Sequence, residues 1–432
     1  MSASSTHAFQ PQAVIRRLRG DRLLRNNAIY LAGSVGGGLM GYVFHFVSGR
    51  LLGPAGYSVV ASAIAALYLL TLPSVVLQLV SARYASLAIG RDERERIPSL
   101  ILRLTGVTML GGAPAVLILL VFGPTVASFL NVNDPRVIFV LAPAALGALL
   151  VAANRGVLQG MQRFLMLSGN VVLDMTVRVL VGAFLITIGL GPIGALVAVL
   201  LGPIAAYGQS LYVLRDTGRR VRRDATPGEG LGRYAILAAV AALGVNYLLS
   251  VDTLLAKHYL PAGDAGVYAA GSVLARVAYF LGLSVAAVMF PEVATLHARD
   301  ERHFHVVDKS LLLIIVMGAG LVLAYAALPQ LVLLPYGSGF GRVTPYLGPF
   351  ALALSLMALA NLLMNYSLSV NRTWFIWPLF GTCALETVLI ARFHSGVAQI
   401  VTMMVISMIA FCASMMAIYL SDRLRPEVRF AG

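Results

Sequence analysis

Five ionisable residues stand deep inside long apolar runs, where a charge needs a chemical or structural reason: Asp174, Arg178, Asp252, Arg276 and Glu386. Asp174 and Arg178 are four residues apart, which on a helix puts them on one face and within pairing distance. They either neutralise each other while holding two helices together or line a polar cavity. Arg276 has no acidic residue one helical turn away. It either pairs with Asp252 on the preceding run or stands as a cavity cation that meets an anionic ligand, and we favour the second. Glu386 is the other lone carboxylate at depth, suited to a coupling proton or sodium ion or to bonding a neighbouring hydroxyl. Arg276, Arg178, Asp174 and Asp252 are thus the candidate substrate-binding set, and Glu386 is the ion-coupling candidate.

Other chemistry is poorly represented. There is no Walker loop, no His-Glu-x-x-His and no Gly-x-Ser-x-Gly, so neither an enzyme nor a cofactor is expected. His297, His303 and His305 lie beside Glu301, but Arg299 and Arg302 interrupt them, and no metal site is expected there. The two cysteines, Cys383 and Cys412, fall inside apolar runs without disulfide or zinc spacing and read as packing residues.

The elements that must position these residues are membrane spans. The chain is 59% hydrophobic and only 12% charged, with a mean hydropathy of +0.85. A soluble domain needs about a quarter charged residues to wet its surface. Apolar runs here repeatedly exceed the roughly 18–20 residues that cross a bilayer as a helix. Twelve such runs can be drawn: 27–48, 57–80, 99–122, 137–154, 165–189, 191–214, 234–256, 266–290, 309–333, 343–368, 374–393 and 396–420. The expected fold is all-α, a polytopic membrane protein of about 12 transmembrane helices. A charge at mid-membrane costs on the order of 3 kcal/mol, which is why the five deep residues stand out. Arg103 lies near a span end and can snorkel. Asn154, Gln159, Asn170, Asn246 and Asn361 either line a hydrated cavity or bridge helices. Gly36, Gly37, Gly38 and Gly41 give the first span either close packing or a bend.

The net charge of +14 sits in short loops between apolar runs, which argues for topology signals and against nucleic-acid binding. Counting Lys and Arg on alternate sides gives 24 against 5, with three inside spans, and places both termini in the cytoplasm. The basic start reads as a surface segment before an uncleaved first span.

The second half repeats the first at an offset of roughly 206–211 residues. Leu52-Gly53-Pro54-Ala55-Gly56-Tyr57 recurs as Leu260-Pro261-Ala262-Gly263 through Tyr268. Leu141-Ala142-Pro143 is echoed by Leu347-Gly348-Pro349, and Gln162-Arg163-Phe164 by Asn371-Arg372-Thr373. The expected division is a basic segment 1–25, a six-helix lobe 26–214, a linker 215–232, a second six-helix lobe 233–421 and a tail 422–432. Repeats of one orientation imply a transporter with its site between the lobes.

Several of these stretches carry a resemblance. Arg25-Asn26-Asn27 enters the first span and Leu52 to Tyr57 closes it. Gly156-Val157-Leu158-Gln159-Gly160-Met161-Gln162-Arg163-Phe164 follows the fourth. Ser250-Val251-Asp252 precedes Ala265 to Ala270, and Phe290-Pro291-Glu292 ends the eighth. The pattern resembles the polysaccharide-biosynthesis membrane proteins of O-antigen flippase type, in the superfamily that also holds multidrug extruders and lipid II flippases. The resemblance implies a multi-pass protein of a bacterial inner membrane. Such a protein moves a polyprenyl-diphosphate-linked oligosaccharide from inner to outer leaflet by alternating access. It also implies two lobes around a cationic cavity, with Arg276 against the diphosphate and Arg178 a weaker match. Its partners would be membrane lipids and the polysaccharide polymerase or glycosyltransferase machinery. The first span carries neither the arginine of lipid II flippases nor the acid of sodium-coupled extruders. The alternative is a multidrug or organic-cation exporter of the same superfamily.

Overall fold

The computed structural model describes residues 22–132, 134–217, 233–299, 301–370 and 372–424. The N-terminal segment to residue 21, the linker from 218 and the tail from 425 lie outside the described residues. Among the described residues every regular element is helical. In chain order they are α1 (Arg22–Leu70), α2 (Pro73–Gly90), α3 (Ile97–Val121), α4 (Gly123–Phe129), α5 (Arg136–Gly160), α6 (Phe164–Leu185) and α7 (Gly191–Leu214). The second half follows with α8 (Arg233–Tyr259), α9 (Ala262–Ala298), α10 (Phe304–Ala327), α11 (Pro329–Leu333), α12 (Leu347–Ser369), α13 (Ile376–Arg392) and α14 (Val397–Leu424).

Among the described residues nine stretches are long and apolar enough to span a membrane. Two of them hold more than one span, because glycine breaks the helix inside. Gly53 takes φ 65 and ψ 177, an extended positive-φ conformation open essentially to glycine, and it splits α1 into two arms. Pro54 then opens the second arm, where its missing N–H is no loss. Gly189 and Gly191, with φ 96 and 58, separate α6 from α7 in the same way. With α13, a 17-residue helix, these breaks resolve the stretches into the twelve expected spans. The second span is the second arm of α1 continued through α2 past Pro73.

The outer surface settles the environment. Large side chains such as Leu110, Leu312, Val316 and Leu323 stand 60–80% exposed on helix after helix. An apolar exterior of that extent belongs in lipid, and the chain is a multi-pass membrane protein.

Close packing uses the small residues. A Cβ on Gly156 or Gly160 of α5 would overlap the Gln78 or Ala82 carbonyl of α2, so this Gly-x-x-x-Gly stripe lets two helices touch backbone to backbone. Gly33 and Gly37 likewise receive Ser168 and Val171 of α6. Of Gly36, Gly37, Gly38 and Gly41 only Gly37 is packed this tightly, Gly38 meeting open space, and the non-helical residue within α1 is Gly53.

Buried apolar residues form two clusters in the first half and one large cluster in the second, which reaches across to Tyr57 and Ala61. The halves meet at the bundle end that bears Gly53. There the repeated turns touch each other: Gly266, just past Pro261, lies so close to Pro54 that a side chain would overlap its backbone. Around this point Tyr57 bonds Tyr336 at 3.0 Å and His45 at 3.0 Å, with Phe46 and Phe340 packed edge-on. Lys257 reaches Ser58 at 3.0 Å, and Asn131 donates to the His258 carbonyl at 2.5 Å.

Candidate functional site

In the first half α6 supplies Asp174 and Arg178, and they do pair: Arg178 Nε donates to Asp174 Oδ1 at 2.8 Å. The other oxygen receives Arg155 at 2.9 Å, from α5. Asp174 is 1% exposed, so this carboxylate is wholly taken up by two guanidiniums. Arg155 also donates to Asn170 Oδ1 at 2.7 Å, and Asn170 Nδ2 donates to the Ala206 carbonyl and Gln209 on α7 at 2.6 and 2.7 Å. Gly202 of α7 allows the approach, since a Cβ there would overlap Asp174. The cluster knits α5, α6 and α7.

In the second half Asp252 on α8 is 2% exposed. It accepts hydrogen bonds from Tyr268 at 3.1 Å and Ser272 at 3.0 Å, both on α9, and from Thr253 at 3.2 Å. Glu386 on α13 is 0% exposed, and neither carboxylate oxygen has a partner among the described residues. It lies within electrostatic reach of Asp252 and of Tyr268. Two buried carboxylates so placed repel each other unless a cation sits with them.

Arg276 stands between the halves. Its guanidinium donates to the Leu249 carbonyl of α8 at 2.5 Å, its Nε is buried without a partner, and no carboxylate among the described residues pairs with it. The pairing of Arg276 with Asp252 is therefore not formed, because three hydroxyls already occupy Asp252. Across the junction, Tyr42 and His45 on the first arm of α1 lie within electrostatic reach of Arg276, and Arg178 also acts on His45. The Tyr42 hydroxyl is likewise buried without a partner. Arg276 Nε and Tyr42 Oη are thus two buried donor groups on opposite halves, within electrostatic reach of each other and without an acceptor among the described residues.

Of the amides, Asn154 bonds Ser210 at 2.8 Å and Gln159 bonds Gln78 at 3.1 Å, so with Asn170 they bridge helices. Among the described residues Asn246 bonds its own helix, and Asn361 Nδ2 has no partner. The sequence missed Arg155, counted as a loop cation although α5 continues to Gly160. It also missed Lys257, counted as a surface cation yet 2% exposed.

Two repeated sets of membrane helices, meeting around ionisable and orphaned polar groups, form a layout of the kind found in transporters. The comparisons agree. Among solved structures the chain is similar to a multidrug resistance MATE family transporter of the MOP superfamily in its inward-facing conformation. That match has 12% identity, covers 89% of this chain and 96% of that one, and has a TM-score of 0.70. An outward-facing multidrug resistance MATE family transporter of the same superfamily matches at 14% identity, covering 94% and 98%, with a TM-score of 0.63. A MOP superfamily transporter from Pyrococcus furiosus, described as having a binding pocket of reverse polarity, matches at 15% identity, covering 93% and 96%, with a TM-score of 0.61. At such identities these likenesses speak for the fold. No curated protein matches significantly by sequence. The polysaccharide biosynthesis protein family model matches residues 23–297, well over half of the chain. The protein belongs to that family, and it has the fold of the MOP superfamily transporters.

Proposed function

We propose that the protein moves a polyprenyl-diphosphate-linked oligosaccharide from the inner to the outer leaflet of a bacterial cytoplasmic membrane by alternating access, with both termini in the cytoplasm. The observation that carries the reading is the pair of orphaned donors, Arg276 Nε and Tyr42 Oη, on opposite halves. A diphosphate offers only acceptors and about two negative charges, so it satisfies both at once. Arg178, held by Asp174, adds a second cation on the first-half side. With the termini inside, the Gly53 end is the outer end, and the contacts across the junction there close the path to the outside. Export of the anion along the membrane potential releases about 4.6 kcal/mol per 100 mV for two charges, provided the protein's own cations stay in place.

In this scheme Glu386 and Asp252 are the coupling site, where a proton or sodium ion relieves the repulsion of two buried carboxylates. Glycosyltransferases supply the substrate and a polymerase receives it. Export of organic cations fits the arrangement less well. Asp174, Asp252 and Glu386 are each at most 2% exposed, and a cavity ligand meets arginine before carboxylate.

The test is leaflet accessibility of a fluorescent polyprenyl-diphosphate sugar in liposomes, with and without an imposed potential. Loss of a charge-assisted hydrogen bond costs roughly 1.5–3 kcal/mol, so Arg276→Ala is expected to slow translocation about 10- to 150-fold. Translocation at the wild-type rate by Arg276→Ala, at equal abundance, refutes the assignment.

A further inference from the structure

Lys257 is one of only two lysines in the chain, the other being Lys309. It lies two residues before the end of α8 yet is 2% exposed, wedged between the halves. Its recorded partner is a neutral hydroxyl, Ser58 Oγ at 3.0 Å, on the second arm of α1. No carboxylate among the described residues forms an ion pair with it; the next acid in the sequence, Asp264, is bound to Arg342 at 2.7 Å. An ammonium buried with a hydroxyl alone is a costly arrangement, and separation of the halves hydrates it.

Its position gives this a direction. Arg276 grips α8 at the Leu249 carbonyl, and Lys257 is eight residues further towards the Gly53 end. At 1.5 Å per residue that is about 12 Å along the same helix. An anion leaving Arg276 for that end therefore meets Lys257 next, once the Tyr57–Tyr336 and Lys257–Ser58 contacts across the junction part.

We propose that Lys257 is a second anion site of the transport path, masked on Ser58 while the Gly53 end is closed and taking up the diphosphate headgroup when that end opens. The proposal deepens the flippase reading and rests on it for the direction of travel. Its test does not need transport to occur.

In a Lys309→Arg variant, Lys257 is the single remaining side-chain amine, so a membrane-impermeant amine reagent read out by mass spectrometry reports on it alone. Applied to vesicles with the Gly53 end outside, the reagent is expected to label Lys257 slowly, as that end opens. Inorganic diphosphate on the same side is expected to protect it, in the presence or absence of Arg276. Separately, Lys257→Met is expected to slow translocation roughly 10- to 150-fold, the worth of one charged hydrogen bond, with Lys257→Arg restoring most of the rate. No labelling from that side, or labelling that diphosphate leaves unchanged, overturns the proposal. Protection that persists while Arg276→Ala translocates normally would keep the Lys257 site and discard the Arg276 assignment instead.

Discussion

Replacing Asp174 by alanine tests whether the first-half cluster is a structural knot. The substitution removes two charge-assisted bonds, of 2.9 and 2.8 Å, from a carboxylate of which 1% is exposed. It leaves Arg155 and Arg178 facing each other with side chains only 17% and 12% exposed. Breaking a buried pair by removing one partner costs about 3–5 kcal/mol. Neutral hydrogen bonds between membrane helices are worth far less, on average ~0.6 kcal/mol. The charge term decides here, because like charges remain behind, but the partial exposure of both arginines returns some hydration. The expected loss is therefore about 3 kcal/mol. It is measured as a shift in reversible unfolding of the purified protein in detergent and SDS mixtures. Asp174→Asn keeps one acceptor and should lose less. In a double-mutant cycle with Arg155→Gln, the combined loss should fall short of the sum by about 1 kcal/mol or more. A loss under ~0.5 kcal/mol for Asp174→Ala, or full additivity in the cycle, refutes the reasoning.

Two further outcomes follow from the junction and the coupling pair. Gly266→Ala places a methyl against the Pro54 backbone. Overpacking of about 1–3 kcal/mol should shift the protein towards an open Gly53 end. A cysteine at position 61, with Cys383 and Cys412 replaced by alanine, should then react roughly 5- to 150-fold faster with an impermeant maleimide, and an unchanged rate counts against the close approach. Glu386→Gln removes one of two neighbouring buried carboxylates without altering its shape. It should fold at least as well as wild type and lose any dependence of translocation on a proton or sodium gradient; retained dependence places the coupling elsewhere.

Much of the architecture was legible because hydropathy and turn chemistry are local properties. The Leu52 to Tyr57 turn and its copy at Leu260 to Gly263 marked the repeat, and the structure packs the two against each other. The twelve runs survive, although α9 extends well beyond the predicted 266–290 at both ends, since polar residues at a membrane surface remain helical. Partner choice was less legible. The four-residue spacing of Asp174 and Arg178 predicted their pairing, but nothing local linked Arg155 to the same carboxylate. Asp252 and Arg276 lie on adjacent spans, and three nearby hydroxyls decided that they stay apart. Lys257 read as a loop cation because sequence distance from a helix end measures depth along the bundle, not burial between its halves.

The shared carboxylate also orders events during synthesis. Asp174 follows Arg155 by 19 residues, so at roughly 5–20 residues per second α5 emerges about one to four seconds before the acid that will neutralise it. α6 carries its own acid and base one turn apart and enters lipid balanced. Arg155 has no such neighbour within α5. The two helices are therefore committed to the bilayer together, as a hairpin. A chain without Asp174 shows its defect first at the ribosome, in how much protein reaches the membrane.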